Sequence, residues 1–311
     1  MIEIVARSEA MHEALGLAER VAATDANVLV TGESGAGKDA VASFIHQRSG
    51  RAAHSFVKID CATLPGHLLE AELFGYERGA FTGASEAKPG RLEAAHHGTL
   101  VLDEIAYLPL DAQAKLLRVI EKREFERLGG RSTIKVDARL IALTNVDLTE
   151  AVERRDFRED LFYRLNVVQI RVPPLRGRKE DLPELVRSLL ESYAAKHGRP
   201  VTNITPAALD LLKEYEFPGN VRELANAIER AVIIATGKRL EESDLPDPIR
   251  ASVRLQQRRA HPSTLAEMEA TYVSEILAAT KGNKAEAARI LGISRKNLYE
   301  RIARLPGKDE V

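Results

Sequence analysis

A glycine-rich octapeptide near the start of the chain has the residue types of a phosphate-binding loop: Gly32, Glu33, Ser34, Gly35, Ala36, Gly37, Lys38 and Asp39. It follows a short apolar run and precedes a helical pattern, so backbone N–H groups and the helix N-terminus can surround phosphate oxygens. The lysine can reach the terminal phosphates. Asp39 replaces the usual serine or threonine, so one direct ligand for Mg²⁺ is missing. We predict that these residues bind ATP; a glycine-rich turn without a ligand is the alternative.

Two acids and an amide follow apolar runs farther along the chain. Asp103 and Glu104 end the run at residues 99–102, and Asn145 follows Thr144 at the end of another. The carboxyl ends of parallel strands meet at one edge of an open α/β sheet, where ligands bind. We predict that Asp103 holds Mg²⁺, that Glu104 orients the attacking water, and that Asn145 reaches the γ-phosphate or that water. Each alone is compatible with a strand cap, but together with the octapeptide they indicate ATP hydrolysis.

Three arginines are candidates for contacting the nucleotide. Arg158 and Arg164 are six residues apart, which on a helix separates them by roughly 120°, so they need not face the same point. Arg222 lies in the first turn of a helix for which Asn220 is the predicted N-cap and Glu223 its partner. A cation is disfavoured there by roughly 0.3–1 kcal/mol, which makes sense if an anion lies opposite. For each arginine a surface salt bridge is the alternative.

The elements that must position these residues alternate along the first half of the chain. Apolar runs interpreted as strands lie at residues 28–31, 56–59, 100–102, 140–143 and 167–172, and helical patterns lie at 8–22, 39–47 and 110–122. This alternation predicts a parallel sheet with helices on both faces. Residues 125–136 add a predicted hairpin.

The second half of the chain is predicted to be helical. Residues 182–240 have helical patterns with one break at 217–219, and the charged, proline-spaced residues 246–262 are expected to be exposed. We divide the chain into an α/β nucleotide-binding subdomain (residues 1–172), a helical lid (173–248), a linker (249–262) and a small all-α domain (263–311).

A helix–turn–helix pattern occupies the last of these domains. Gly292 marks the turn, and Ser294 caps a second helix rich in basic residues. Such a helix can enter a major groove, and the residues predicted to contact DNA are Lys284, Ser294, Arg295, Lys296, Asn297, Tyr299 and Arg301. A generic helical hairpin is the alternative. The helical spacing of Leu265, Met268, Tyr272 and Ile276 on the preceding helix indicates dimer or core contacts.

Composition and charge agree with a globular protein of several domains. The 311 residues have a net charge of −1, but residues 249–311 carry 12 basic and 7 acidic side chains, a net of +5, which suggests a polyanionic partner for the tail. No apolar run approaches the roughly 18–20 residues that span a membrane, and the N-terminus does not have the layout of a signal peptide. Cys61 is the only cysteine of the sequence, which excludes an internal disulfide. We expect a cytoplasmic protein with no membrane contact and no zinc site.

One more motif lies between the octapeptide and the acid pair. The residues 72–75 are followed by Gly79, Ala80, Phe81, Thr82, Gly83 and Ala84. Two glycines around an aromatic and a hydroxyl favour either a mobile loop that exposes Phe81 or a turn that packs it inward. This six-residue string resembles the signature of bacterial sigma-54-dependent transcriptional activators, the enhancer-binding branch of the AAA+ ATPases.

The resemblance extends over nearly the whole chain. It includes the octapeptide, in which an acid after the lysine is usual for the family, together with Asp103-Glu104, Thr144-Asn145 and residues 157–165, 173–176 and 218–224. The tail resembles the Fis-type domain that ends most of these activators. The resemblance implies a P-loop AAA+ fold with a helical lid and a helix-turn-helix domain, and the cofactors ATP and Mg²⁺.

The resemblance also implies roles for particular residues. Residues 79–84 are the loop that touches sigma-54, Arg158 and Arg164 are fingers that reach the neighbouring subunit's site, and Arg222 is the sensor of the lid. A finger supplied in trans requires a closed head-to-tail ring, and the family usually forms hexamers. The family often has asparagine where Asp60 stands, which holds the catalytic glutamate idle. Because a carboxylate cannot donate that hydrogen bond, we expect ATPase activity here to be less tightly coupled to target binding.

The implied function is ATP-driven remodelling of the closed complex of sigma-54 and RNA polymerase, from DNA sites upstream of promoters. We expect no regulatory domain before the first AAA+ helix at Ser8. Control is therefore expected from a regulatory protein in trans, from expression level or from a domain that has been removed. One alternative is a DNA-bound regulator that uses nucleotide only as an assembly switch and does not open promoters with sigma-54. The other is an AAA+ unfoldase or helicase.

Overall fold

The computed structural model describes residues 4–260, 265–280 and 282–303. The strands are β1 Val28–Thr31, β2 Phe56–Asp60, β3 Gly75–Tyr76, β4 Lys88–Pro89, β5 Thr99–Asp103, β6 Glu124–Glu126, β7 Thr133–Lys135, β8 Arg139–Thr144, β9 Val168–Arg171, β10 Asn203–Ile204 and β11 Arg239–Leu240. The helices are α1 Glu9–Ala22, α2 Lys38–Gln47, α3 Gly66–Phe74, α4 Arg91–Ala94, α5 Leu110–Lys122, α6 Leu148–Glu153, α7 Glu159–Leu165, α8 Leu182–His197, α9 Pro206–Glu214, α10 Asn220–Ile234, α11 Asp247–Ala260, α12 Leu265–Ala279, α13 Lys284–Ile290 and α14 Arg295–Ala303. By contacts the chain divides into two units, residues 1–246 and 247–311.

A five-stranded parallel sheet organises the first unit. Its strand order is β2-β5-β8-β1-β9, and every predicted strand is present with its ends shifted by no more than one residue. β6 and β7 pair antiparallel, which confirms the predicted hairpin. Because β1 and β5 both pair in parallel with β8, their carboxyl ends lie at the same edge.

Both faces of this sheet are covered by helices, as predicted. Val28 and Val30 lie in one core cluster with buried residues of α1 and α2, whereas Leu29 lies in a second cluster with residues of α3, α5 and α7. Successive residues of a strand point to opposite faces, so a nearly continuous apolar strand is typical of a sheet buried on both sides.

The helical lid follows the last strand of the sheet, but it is not helical throughout. α8 ends at Gly198, which adopts the left-handed conformation (φ 61°), and α9 begins after Thr205, whose side chain accepts a hydrogen bond from the backbone of Ala208. The segment between these helices contains β10, which pairs with β11, a strand that follows α10. The prediction of a single break at residues 217–219 is therefore wrong, because a glycine cap and a threonine cap create a second one.

The described residues of the second unit form four helices, α11–α14. The segment predicted as an exposed linker, residues 249–262, is helical as far as residue 260, and Ile249 and Val253 within it are buried. It has no internal glycine or proline that would break a helix. α12, α13 and α14 share a small core, to which Val273, Ala288 and Leu298 contribute.

A buried arginine connects the central sheet to the first helix. Arg139, at the start of β8, is 1% exposed, and its guanidinium donates to the carbonyls of Ala22 (3.1 Å) and Val21 (2.8 Å). These carbonyls end α1, where a cation interacts favourably with the helix dipole.

We expect the substitution Arg139→Ala to lower the free energy of unfolding by about 2–4 kcal/mol, because it leaves two buried carbonyls unpaired and opens a cavity. Urea denaturation measures this change. The control is Arg131→Ala, an exposed arginine near the hairpin turn, for which we expect a change of no more than about 0.5 kcal/mol. Equal stability of the two variants would contradict the role given to Arg139.

Candidate functional site

The octapeptide forms a tight loop between β1 and α2. Gly35 and Gly37 have positive φ angles of 73° and 108°, and a Cβ atom on Gly35 would lie 2.4 Å from the carbonyl oxygen of Gly219. Only glycine fits at that close approach to the lid. Lys38 begins α2 with its side chain folded back over the loop, where Nζ donates to the carbonyls of Gly32 (3.0 Å) and Glu33 (3.3 Å).

The acid pair lies at the same edge of the sheet as the loop. Glu104 Oε1 is 3.7 Å from Lys38 Nζ, and Glu104 Oε2 accepts a hydrogen bond from the backbone N–H of Asn145 (3.3 Å). Glu104 adopts a left-handed backbone conformation (φ 51°), which turns the chain immediately after β5. The structure thus brings Lys38, Glu104 and Asn145 together, as the sheet-edge argument predicts.

Sequence reasoning missed a lysine in this site. Lys58 Nζ pairs with Asp39 Oδ1 and lies 2.7 Å from Asp103 Oδ2. The available signal was a basic residue within the predicted second strand. With a period of two, Lys58 lies on the same face as Phe56, whose ring packs against His46 of α2.

The lid contacts the loop through Asn220 and Arg222. The predicted N-cap role of Asn220 is wrong: its backbone is left-handed (φ 52°), and its side chain donates to Glu33 and to the carbonyl of Ser34 while accepting from the backbone of Leu175. Because the side-chain amide of Asn220 is hydrogen-bonded to the loop and to the backbone of Leu175, it is not available to cap the helix. Arg222 does lie in the first turn of α10, and its guanidinium donates to Ser34 Oγ (2.9 Å).

A charged pair adds to this contact. Arg176 donates to both carboxylate oxygens of Glu33, at 2.7 and 2.5 Å. Hydrogen bonds from Arg176 and then from Asn220 lower the pKa of Glu33 to about 2. Glu33 therefore joins the loop to the start of the lid as a charged group over the whole neutral range.

A cavity of about 280 Å³ lies between loop and lid. One end is polar and includes Gly35, Lys38, Asp103 and Glu104, whereas the other is formed by apolar and aromatic side chains that include Val5, Leu185, Leu189 and Tyr193. A polar end beside an apolar end suits a ligand that carries phosphates on a nucleoside.

Arg158 and Arg164, the two arginines predicted to act as fingers, do not lie at the cavity between loop and lid. Arg158 is the N-cap of α7 rather than a residue within it, so the angular separation predicted for a helix does not apply. Arg158 pairs with Asp160 (2.7 Å) and Arg164 pairs with Glu121 (3.1 Å), and neither arginine lines the cavity. Their side chains are 42% and 60% exposed.

The six-residue string forms a turn above a short antiparallel pair, β3 and β4. Gly79 donates to the carbonyl of Ala84 (2.8 Å), which closes the turn. Phe81 is 38% exposed and its ring makes an edge contact with Tyr76 at 5.0 Å, so it is neither packed inward nor free of the protein. Ala80 is half-buried and Thr82 is exposed, and Gly83 has a φ angle of 106°.

Asp60 and Cys61 follow β2 beside the acid pair. Asp60 lies opposite Asp103 in the strand register, and its Oδ1 accepts from the backbone N–H of Ala62 (2.9 Å). Burial, and then the nearby carboxylates of Asp60, Asp103 and Glu104, raise the pKa of the Cys61 thiol to about 12. Asp60 therefore belongs to a carboxylate-rich edge, as the sequence indicates.

In the second unit, the helix–turn–helix pattern is confirmed. Gly292 forms the turn with a φ angle of 67°, and Ser294 Oγ accepts from the backbone N–H of Asn297 (3.2 Å). The predicted contact residues that are exposed are Lys284, Ser294, Arg295, Lys296, Asn297 and Tyr299. Arg301 is half-buried and pairs with Glu269. Met268 and Tyr272 are exposed on α12, whereas Ile276 packs against the core of this unit.

No helix in the described part of the chain is long and apolar enough to cross a membrane.

The phosphate loop, the acid pair and the lid define a P-loop protein of the AAA+ class. Family comparison extends this result along the chain: the sigma-54 interaction domain matches residues 4–171, the AAA+ ATPase lid domain matches 176–262, and the Fis family of bacterial regulatory proteins matches 264–305. The chain belongs to the family of sigma-54-dependent transcriptional activators with a Fis-type helix–turn–helix region.

Individual relatives agree with this assignment. The chain is 44% identical to regulatory protein AtoC of Escherichia coli over 96% of the chain and 67% of AtoC. It is 46% identical to transcriptional regulatory protein ZraR of Klebsiella oxytoca over 97% of the chain and 68% of ZraR. Among solved structures, NtrX of Brucella abortus in complex with ATP is similar, with a TM-score of 0.76, 36% identity, and coverage of 98% of this chain and 70% of NtrX.

The contact between Glu33 and the lid leads to a prediction about pH. Since folding lowers the pKa of Glu33, its stabilising contribution is present above its ordinary pKa of 4.5 and is lost as the pH falls toward about 2. We expect Glu33→Gln to reduce the unfolding free energy by about 0.5–1 kcal/mol at pH 7, the size of an exposed ion pair, and by less at pH 3. Urea titrations at both pH values measure this. Glu13→Gln is the charge-matched control, and a Glu33→Gln effect of the same size at both pH values would contradict the assignment.

Proposed function

We propose that the chain is an ATP-hydrolysing activator that remodels closed complexes of sigma-54 RNA polymerase so that promoter DNA opens. The observation that carries the proposal is the meeting of Lys38, Glu104 and Asn145 at one sheet edge, beside a lid-covered cavity, in a chain of the sigma-54 activator family. ATP occupies the cavity with its phosphates at residues 32–39 and its base at the apolar end. The structure of NtrX in complex with ATP, and a second in complex with ADP, support this choice of nucleotide.

Glu104, Asn145 and Asp103 have different roles in the proposed hydrolysis. Glu104 orients the attacking water and accepts its proton, and Asn145 positions that water or the γ-phosphate. Asp103, beside Asp39, offers the carboxylate oxygens that a hard cation prefers, and an ammonium group already pairs with both, so the residues fit Mg²⁺. Mg²⁺ neutralises negative charge on the phosphates when bound. Asp103 would be the residue that holds the ion, and no group of three or more metal-binding side chains occurs among the described residues.

The arginines act across and within subunits. Arg158 and Arg164 are exposed and do not line the cavity of their own chain, which supports their action as fingers in the site of a neighbouring subunit. Such an arrangement requires a head-to-tail ring, and we propose a hexamer. Arg222 is the lid residue that senses the nucleotide, because it already contacts the loop through Ser34.

The output is movement of the turn at residues 79–84. α3 ends at the buried Phe74 directly before β3, so a shift of α3 is transmitted to the base of the turn. Phe81 and Thr82 are exposed and are the part of the turn that contacts sigma-54. A local change at the phosphates would thus move the distant turn at residues 79–84.

The C-terminal region localises the activator on double-stranded DNA upstream of promoters. The start of α14 exposes Arg295, Lys296 and Asn297, the residue types that contact phosphates and base edges in a major groove. A regulatory protein acting in trans is the proposed source of control.

The Thr82→Ala variant tests the sigma-54 contact. We expect its ATPase rate to stay within about twofold of wild type, since Thr82 is not among the residues that line the cavity, while open-complex formation falls by at least about tenfold. Permanganate footprinting of a sigma-54 promoter measures opening. Ser85→Ala, an exposed hydroxyl just outside the turn, is the matched control. Full opening by Thr82→Ala would contradict the proposed contact between Thr82 and sigma-54.

The Asp60→Asn variant tests the coupling between hydrolysis and target. An asparagine can donate a hydrogen bond that the carboxylate cannot, so we expect a lower ATPase rate in the absence of sigma-54 and a larger stimulation when sigma-54 is added. Steady-state phosphate release with and without sigma-54 gives the ratio. An unchanged ratio would show that Asp60 does not set the coupling.

A further inference from the structure

The nucleotide chemistry described above does not explain the position of Lys58. Its ammonium lies between two carboxylates from different elements, Asp39 of α2 and Asp103 of β5. The side chain of Asp103 is 15% exposed, whereas those of Lys58 and Asp39 are 38% and 55% exposed. The lysine therefore reaches inward to a nearly buried acid while keeping a second partner at the surface.

The position of this ammonium conflicts with the proposed role of Asp103. A metal ion held through Asp103 needs a lone pair of its carboxylate, and Lys58 lies 2.7 Å from Oδ2 of the same group. Two cations so close to one carboxylate oxygen repel each other. Lys58 and a metal ion therefore compete for Asp103.

Lys38 does not have this position. Its Nζ donates to two loop carbonyls and lies 3.7 Å from Glu104, and its side chain is 8% exposed. It is held within the loop that receives the phosphates, whereas Lys58 has a flexible stem on an outer strand and a partner to which it can withdraw.

We propose that Lys58 is a positioning residue, a built-in counter-ion that holds Asp103 and Asp39 before nucleotide binds and yields Asp103 when magnesium nucleotide arrives. This proposal rests on the proposed function, because it takes Asp103 to be the residue that holds the metal ion. Lys58 then stays with Asp39, which gives the acid after Lys38 a purpose other than metal ligation. The consequence is selectivity: the free protein binds divalent cations poorly, and the metal enters together with the phosphates that complete its shell.

Binding of Mn²⁺ to the nucleotide-free protein tests the proposal directly, because Mn²⁺ takes the same oxygen ligands as Mg²⁺ and is observed by electron paramagnetic resonance. We expect Lys58→Met to bind Mn²⁺ roughly three- to fivefold more tightly than wild type, the effect of removing one competing surface ion pair. Lys196→Met is the matched control, since Lys196 pairs with Glu229 in the lid, and its Mn²⁺ affinity should equal that of wild type. Equal affinity of Lys58→Met and wild type overturns the proposal.

Two further measurements separate this inference from the proposed function. In EDTA, a fluorescent ATP analogue should bind Lys58→Met and wild type equally; loss of binding in the variant would place Lys58 on the phosphates and overturn the proposal. In an Mg²⁺ titration of ATP hydrolysis, Lys58→Met should reach half its maximal rate at a lower Mg²⁺ concentration, and Lys58→Arg should resemble wild type. Absence of Mg²⁺-dependent hydrolysis by wild type contradicts the proposed function, whereas hydrolysis with the same Mg²⁺ dependence in both proteins contradicts only the role of Lys58.

Discussion

The parallel pairing of β1, β8 and β5 is the constraint on which the rest of the site depends. It places the loop after β1, Asn145 after β8 and the acids after β5 at one edge, so that Lys38 and Glu104 come within 3.7 Å. A slip of one residue would turn each side chain to the other face, where it would not fit the neighbours packed there, so close packing on both faces fixes the strand register. The precision of the site is therefore supplied by the core rather than by the flexible loops.

The lid converts this edge into an enclosed site. Asn220, Arg176 and Arg222 each contact the loop, through Glu33 or Ser34, and Gly35 touches the lid backbone at a distance that no side chain permits. These contacts connect the part of the loop that surrounds phosphates to the helices above it. Under the proposed function, these contacts would transmit a change at the phosphates to the lid.

The sequence predicted the sheet and its acids well because their signals are local. Apolar runs that end in Asp103 and Glu104, or in Asn145, are visible without knowledge of the fold, and the family resemblance is confirmed along the chain. What the sequence did not reveal are contacts between distant segments. From the sequence alone, Lys58 is expected to be a solvated strand residue, because its contact with Asp103 of β5 depends on the fold. Asn220 is expected to be a helix cap, because the hydrogen bond from its amide to the loop also depends on the fold. The helical residues 247–260 were missed because their charge suggests solvent rather than structure.

Hydrolysis at this sheet edge, and not nucleotide binding alone, is what we propose opens sigma-54 promoters. Open-complex formation on a supercoiled template, with sigma-54 RNA polymerase and ATP, compares wild type with Glu104→Gln most directly. The glutamine side chain keeps the shape of the glutamate but is a far poorer base. We therefore expect Glu104→Gln to bind ATP as wild type does and to open no promoter. Promoter opening by Glu104→Gln at the wild-type rate, or ATP hydrolysis by wild type without any opening, would contradict it.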